Sequence, residues 1–333
     1  MIASTVQRAR AGEERAFEQL LAPHLGELHV HCYRMLGSVA DAEDLLQETV
    51  TAAWQGFGGF AGRSSLRTWL YRIATNRCLN AIRDGKRRPP TEPLAPFTPP
   101  TPSRRGDVTW LQPYPTAWLT NDRAPDPAAR YVARESIELA FIAALQRLPP
   151  RQTAALVLCD VLGFAAVEVA AMLDVSPAAV KGLLQRARSA VESDPAFGQT
   201  STGSVDTDER AVAQRFADAY AADDIDRLLE LLTDDAWLAM PPAPHEYRGR
   251  DQIGAFLWAS ATWRAGRRFD LEPTSANARP AFTYSLTPPG GGVQRPEGLL
   301  ALTIAGDRVA RAVRFMDAGL PALFEHASPI RSE

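Results

Sequence analysis

Four groups of side chains in this sequence could do chemistry, and three of them speak for binding rather than bond-making. Asp41, Asp44, Gln47 and Glu48 recur at helical spacing, so one helix face carries negative charge and acceptors suited to a basic helical partner. Arg63, Ser64, Arg67, Trp69, Arg72, Asn76, Asn80 and Arg83, with Phe60 just ahead, combine cations that neutralise phosphates with rings that stack on unpaired bases. Ser176, Ala178, Lys181, Gln185, Arg186 and Arg188 surround a helix face whose amide and cations could enter a duplex groove. The fourth group is apolar and aromatic. Trp237, Met240, Phe256, Trp263, Phe282, Tyr284 and Phe315 could line a pocket, with His245, Asp317 or Tyr284 as conceivable acid-base groups, although packing of a small core explains most of them equally well.

One further cluster imitates a metal site. His24, His29, His31 and Cys32 scatter around a helix axis and no second ligand pair accompanies them, so no metal is expected, and no cofactor. Cys32, Cys78 and Cys159 stand singly in apolar patterns and read as reduced core residues.

These groups need elements to carry them, and 333 residues are enough for two or three domains. Apolar residues make up 46% and charged residues 23%, a composition that folds. No stretch is apolar for long enough to span a membrane, and the start lacks a secretory core, so a cytoplasmic location is expected. The net charge of −3 conceals segregation. Residues 13 to 48 are mostly acidic, residues 63 to 88 are almost wholly basic, and residues 206 to 333 hold 19 acidic and 14 basic side chains. Any contact with nucleic acid therefore belongs to the N-terminal part.

Phe17, Leu20, Leu21, Leu25, Leu28, Cys32, Met35 and Leu36 follow one amphipathic period, which predicts a helix stopped by Gly37-Ser38. A second helix is predicted from Ala40 to about Trp54, its apolar side spanning an arc of about 140°. A third runs from Leu66 to Arg83, closing an all-helical domain over residues 1–88. Residues 89–128 hold 11 of the 26 prolines and read as a linker, in which Trp110-Leu111-Gln112-Pro113-Tyr114-Pro115 is aromatic enough to dock on something. Residues 129–195 form a second helical unit that ends in helix-turn-helix grammar: Val167 to Leu173, the turn at Asp174-Val175-Ser176, then Pro177 onward, with Val180, Leu183, Leu184, Ala187, Ala190 and Val191 inward. After a joint at 196–206, residues 207–328 change character. Helices at Glu209–Ala221, Asp226–Leu232 and Asp251–Ala259 alternate with strand-like runs at 236–240, 268–272, 281–286, 297–304 and 309–316. The expected fold is two all-α domains plus an α+β cone.

Tyr33-Arg34-Met35-Leu36-Gly37-Ser38, Asp41-Ala42-Glu43-Asp44-Leu45-Leu46-Gln47-Glu48-Thr49 and Trp69-Leu70-Tyr71-Arg72-Ile73-Ala74-Thr75-Asn76 closely resemble region 2 of the extracytoplasmic-function (ECF) sigma factors of the sigma-70 family. Leu148-Pro149-Pro150-Arg151-Gln152 and Leu184-Gln185-Arg186-Ala187-Arg188 resemble region 4 of that family. The linker and the segment from Glu209 to Phe324 resemble the subgroup with a SnoaL-like, NTF2-fold extension. The resemblance implies a sigma factor rather than an enzyme. Its partners would be core RNA polymerase, through the β′ clamp helices and the β flap, and promoter DNA; an anti-sigma factor and a small apolar ligand of the C-terminal domain are further candidates. It assigns Asp41, Asp44, Gln47 and Glu48 to polymerase, and the loop 58–65 with the third helix to a melted minus-ten element. The helix from Pro177 goes to the minus-thirty-five element, although Gly182 and Leu183 depart from the common pattern there. The C-terminal domain would regulate in cis. Two rivals are a free-standing one-component regulator, for which the region 2 motifs have no use, and a cyclase or isomerase with a DNA-binding appendage.

Overall fold

The structure is a computed structural model that describes residues 2–85, 97–105, 111–119, 136–193, 207–241 and 243–325. The first domain contains α1 (Ile2–Arg10), α2 (Glu14–Leu21), α3 (Leu25–Leu36), α4 (Val39–Gly56) and α5 (Leu66–Arg83). The single helix expected from Phe17 to Leu36 is two helices, because Pro23 sits in a short 3-10 turn at Ala22–His24 and cannot continue the backbone ladder. The apolar period survives the break, with Phe17, Leu21, Leu28, Cys32, Met35 and Leu36 all buried in one core. Gly37 ends α3 at φ 71, a left-handed position that suits glycine. Ser38 caps α4 by accepting from the Asp41 amide, and Ser65 caps α5 by accepting from that of Thr68.

The second helical unit has α6 (Leu139–Arg147), α7 (Pro150–Leu156) prolonged by a π turn at Val157–Val161, α8 (Ala166–Leu173) and α9 (Pro177–Glu192). Ser176 accepts from the Ala179 amide and Pro177 opens α9, as the turn grammar requires. Val180, Ala187 and Val191 are buried. Leu183 and Leu184 are half-buried, and Ala190, expected inward, is exposed because it lies at the edge of the contacting arc.

The C-terminal domain consists of α10 (Thr207–Ala221), α11 (Ile225–Leu231), β2 (Leu232–Met240), β3 (Ala243–Arg248), α12 (Arg250–Arg264), β4 (Arg268–Ala276), β5 (Arg279–Thr287), β6 (Arg295–Ala305), β7 (Arg308–Phe315) and α13 (Leu320–Phe324). A short strand β1 (Arg104–Arg105), contributed by the linker, pairs with β3, giving the order β1-β3-β2-β7-β6-β5-β4. The α+β cone is as expected, with β1 and β3 additional. Neither carries an alternating apolar pattern, so nothing local announces them.

The sheet is apolar on both faces. Phe282, Tyr284, Leu300, Leu302 and Ile304 join the core beneath α10 and α12, while Ala281, Leu299, Ala301, Val313 and Phe315 join the core of the helical domains. That alternation corrects the expected pocket. Met240, Phe256, Phe282 and Tyr284 share the interior, but Phe315 points to the opposite face toward the helices. Trp237 is likewise out of step with its inward neighbours Leu238 and Met240, and lies under the Arg248 guanidinium. Trp263 packs on Phe97 of the linker. No described helix is long and apolar enough to cross a membrane.

Candidate nucleic-acid interface and the junction that covers it

On α4, Asp44 and Gln47 are exposed, and Asp41 and Glu48 are half-buried. Glu48 faces Arg77 of α5 at 3.6 Å, so the acidic ridge borders the basic helix directly. Asp41 in the first turn also interacts favourably with the helix dipole. The linker completes this end of the helix. The Gln112 side-chain oxygen accepts from the amides of Val39 (2.8 Å) and Ala40 (3.2 Å) and from the Ser38 hydroxyl (3.1 Å), and the Gln112 amide donates to Gly37 O at 2.8 Å.

Around α5, Arg63, Ser64, Arg72, Asn80 and Arg83 are exposed, and Trp69 and Asn76 are half-buried. Phe60 is buried at 8% exposure, stacked on Phe57 and tilted against Trp69, so it acts as a packing residue of the loop. Arg67 is diverted from solvent. Its Nε donates to Glu27 at 3.1 Å, and its guanidinium lies 4.9 Å from the Tyr71 ring and 4.7 Å from that of Phe164 in the second helical unit. A cleft of about 480 Å³ has Phe60, Arg63, Trp69 and Arg72 on one wall and Val167 and Glu168 of α8 on the other. The Thr68 hydroxyl donates across to Glu168 at 3.2 Å. The loop that could cradle an extruded base is thus faced by the first helix of the helix-turn-helix.

On α9, Ser176, Ala178, Lys181, Gln185, Arg186 and Arg188 are all exposed. Ser176 spends its hydroxyl on the cap, and Arg188 makes a two-pronged contact to Asp160 at 2.8 and 2.7 Å. Of these six, Lys181, Gln185 and Arg186 are the exposed polar side chains left for a duplex.

The residue sequence reading missed is Asn277. It occupies the β4–β5 turn in the left-handed region at φ 52, a conformation asparagine tolerates. The side chain is fully buried. Its oxygen accepts from the Tyr114 amide at 2.8 Å, and its Nδ2 donates to the Tyr33 hydroxyl at 3.0 Å and to Ile137 O at 2.6 Å. One side chain therefore ties together the first domain, the linker and the start of the second unit. Beside it, Arg34 donates to Ser136 O and Oγ at 3.2 and 2.8 Å, and Arg279 pairs with Glu138 and, at 3.4 Å, with Glu209. The expected docking of the aromatic linker segment falls here, with Leu111, Gln112, Tyr114 and Trp118 buried; Trp110 lies outside the described residues. An Asn in a turn between strands was the only local hint.

The histidines that imitate a metal site serve this packing. His24 pairs with Glu27 at 2.6 Å, His29 Nδ1 shares a hydrogen bond with the Tyr114 hydroxyl at 2.8 Å, and His31 Nε2 shares one with Thr75 at 2.9 Å. Burial pushes His29 down to about 4 and His31 down to about 3, and it lowers Arg34 to about 10, still charged at neutral pH. Both imidazoles are neutral in the fold and protonate far more readily when unfolded. Their stabilising share is therefore complete above pH 6.5 and is lost as pH falls toward 4, amounting to roughly 2 kcal/mol each at pH 5. Urea titrations at pH 7.5 and 5.0 are expected to show this loss, with a shallower one in His29→Asn; equal slopes in the two proteins would contradict it.

Three family profiles match the chain: Sigma-70 region 2 over residues 20–88, Sigma-70 region 4 over residues 138–191 and the SnoaL-like domain over residues 213–312. The chain is 41% identical over 325 residues to the ECF RNA polymerase sigma factor SigG of Mycobacterium tuberculosis, covering 96% of this chain and 86% of that protein. It is 33% identical over 232 residues to SigJ of the same organism, covering 68% of this chain and 67% of SigJ. The crystal structure of SigJ superposes with a TM-score of 0.60 at 26% identity, covering 96% of this chain and all of that one.

Proposed function

Since this chain belongs to the ECF sigma factors of the sigma-70 family and carries a SnoaL-like C-terminal domain, we propose that the geometry described above is a closed state, in which the C-terminal domain holds the promoter-reading parts together. In the open state, Asp41, Asp44, Gln47 and Glu48 dock on the β′ clamp helices of core polymerase. Arg63, Ser64, Trp69, Arg72, Asn76, Asn80 and Arg83 hold the melted minus-ten strand by phosphate neutralisation and stacking. Lys181, Gln185 and Arg186 read the minus-thirty-five duplex from the major groove, while region 4 meets the β flap. Arg67 and Arg188 join these surfaces only after leaving Glu27 and Asp160.

The observation that carries the closed-state reading is Asn277, which binds region 2, the linker and region 4 at once. Two further features support it. The cleft beside Trp69 is faced by α8, leaving that wall of the loop to protein rather than to a base. Residues 97–105 of the linker are also held: β1 pairs with β3, Phe97 packs on Phe256 and Trp263, and the Tyr247 hydroxyl donates to Pro100 O at 2.9 Å. A linker spanning from one promoter element to the other must give up these contacts.

Polymerase docking is tested by titrating the full chain into core enzyme. Asp44→Arg places a cation on the exposed ridge without touching the core of the domain. It is expected to weaken association at least tenfold, about 1.4 kcal/mol, and to abolish run-off transcription at limiting protein. Undiminished association would refute the assignment of this face.

A further inference from the structure

We propose that the cleft between region 2 and region 4 is a binding site for a free nucleoside monophosphate, which holds the chain in its closed form. The proposal rests on the closed-state reading, because α8 supplies the second wall. At about 480 Å³ the cleft falls within the size range of small-molecule sites, about 300–1,000 Å³. Its cations set the charge of the ligand. Arg63 and Arg72 line the cleft and are exposed, and among the described residues neither has an ion pair or a hydrogen bond. Their neighbours differ: Arg67 is drawn to Glu27 at 3.1 Å and Arg77 to Glu48 at 3.6 Å. Two guanidinium groups on one wall suit a phosphate, whose oxygens accept from both forks, and the Ser64 hydroxyl in the same wall is a further donor.

The rest of the cleft suits a base and a sugar. Trp69 presents a half-buried indole from α5, and Val167, 64% exposed, faces the cleft from α8. A flat ring placed between them stacks on the indole and gains apolar cover on its other face. Glu168 is the acidic side chain of the lining. Its carboxylate accepts from the Thr68 hydroxyl at 3.2 Å and from the Ala165 amide at 3.0 Å, which fixes it on the α8 wall. The lone pairs left on it can accept from ribose hydroxyls, and its charge steers the phosphate toward Arg63 and Arg72. The loop wall is preformed, since Arg10 donates to Phe60 O, Phe60 stacks on Phe57 and Ser65 caps α5, so binding need not order it. A melted promoter strand and the nucleotide use the same arginines, but only the nucleotide also needs α8. It therefore binds the closed form and opposes opening by mass action.

Adenosine monophosphate is the probe, with adenosine and inorganic phosphate as its two halves. Calorimetry on the full chain, without polymerase or DNA, is expected to give saturable submillimolar binding of the monophosphate and at least tenfold weaker binding of either half. Arg63→Gln and Arg72→Gln should each weaken the monophosphate at least fivefold and leave adenosine unchanged. Val167→Asp sets a carboxylate opposite those cations and should weaken the monophosphate at least tenfold, whereas Val167→Lys should tighten it. Val167 is exposed, so both substitutions leave the core of region 4 intact. Hydrogen exchange should slow on both walls, in residues 58–65 and 166–172, when the monophosphate is added. No binding, equal binding of the monophosphate and phosphate, protection of the loop wall alone, or binding indifferent to both Val167 variants would overturn the proposal. The closed-state reading is decided separately, by promoter output of Asn277→Gly. Absence of nucleotide binding in a chain that Asn277→Gly still activates would therefore refute this site alone.

Discussion

Asn277→Gly is expected to increase run-off transcription from a cognate promoter, even though it removes a buried polar side chain. Glycine keeps the left-handed backbone at φ 52 without strain, so the substitution isolates the three side-chain hydrogen bonds. Their loss leaves the Tyr114 amide and Ile137 carbonyl without these buried partners, at a cost of about 3 kcal/mol to the closed arrangement. The open arrangement, in which this junction is already parted, loses nothing. The balance between the two then shifts by up to about a hundredfold toward the form that binds polymerase. Hydrogen exchange should quicken in residues 111–119 and 136–138, with the helices of region 2 unchanged. Truncation after Ala196 should also change promoter output. Transcription that is unaltered in both variants would remove the basis for regulation in cis.

Gly298→Ala is expected to cause the greatest loss of stability of any single methyl addition in the C-terminal domain. The β5–β6 register shifts between Tyr284 and Ser285, and Gly298 lies opposite Tyr284 at that irregularity. A Cβ there would sit 1.9 Å from Phe315 O, a backbone atom held in the β6–β7 ladder, and 3.0 Å from the Tyr284 hydroxyl. Backbone cannot swing aside as a flexible side chain can, so β7 must shift or unpair. Such a cost is of order 4 kcal/mol or more, enough to melt a domain of this size. Calorimetry should show an early transition for the C-terminal domain, and the freed sigma domains should then behave as in Asn277→Gly. Thermal unfolding within a degree of wild type would show that the ladder accommodates the methyl.

Much of the helical part was legible because its cues are local. The boundaries Leu66–Arg83 of α5 follow from an N-cap serine and an apolar period, and α8 and α9 follow from a left-handed Asp174, the Ser176 cap and Pro177. Pro23 was the local signal passed over, and it divides one expected helix into two. Among the candidate site residues, exposure of Asp44, Arg72 and Lys181 was readable from helical phase. The engagement of Arg67 with Phe164 and of Arg188 with Asp160 was not, since those partners come from other elements. Phe315 and Trp237 were misplaced because strand residues alternate faces and this sheet buries both, so apolar identity could not say which core each joins.

By itself, then, the sequence determined the two sigma domains, the cone and the acidic and basic helix faces, because caps, periodicity and charge placement act within a few residues along the chain. The tertiary structure alone decided how the segments meet: Gln112 capping α4, β1 lending the linker to the sheet, and Asn277 joining three segments. Each of those contacts spans 70 residues or more of chain, as with Asn277 and Tyr33 at a separation of 244. Their energy comes from hydrogen bonds satisfied only once the domains have met, and no local pattern encodes which buried groups will find each other.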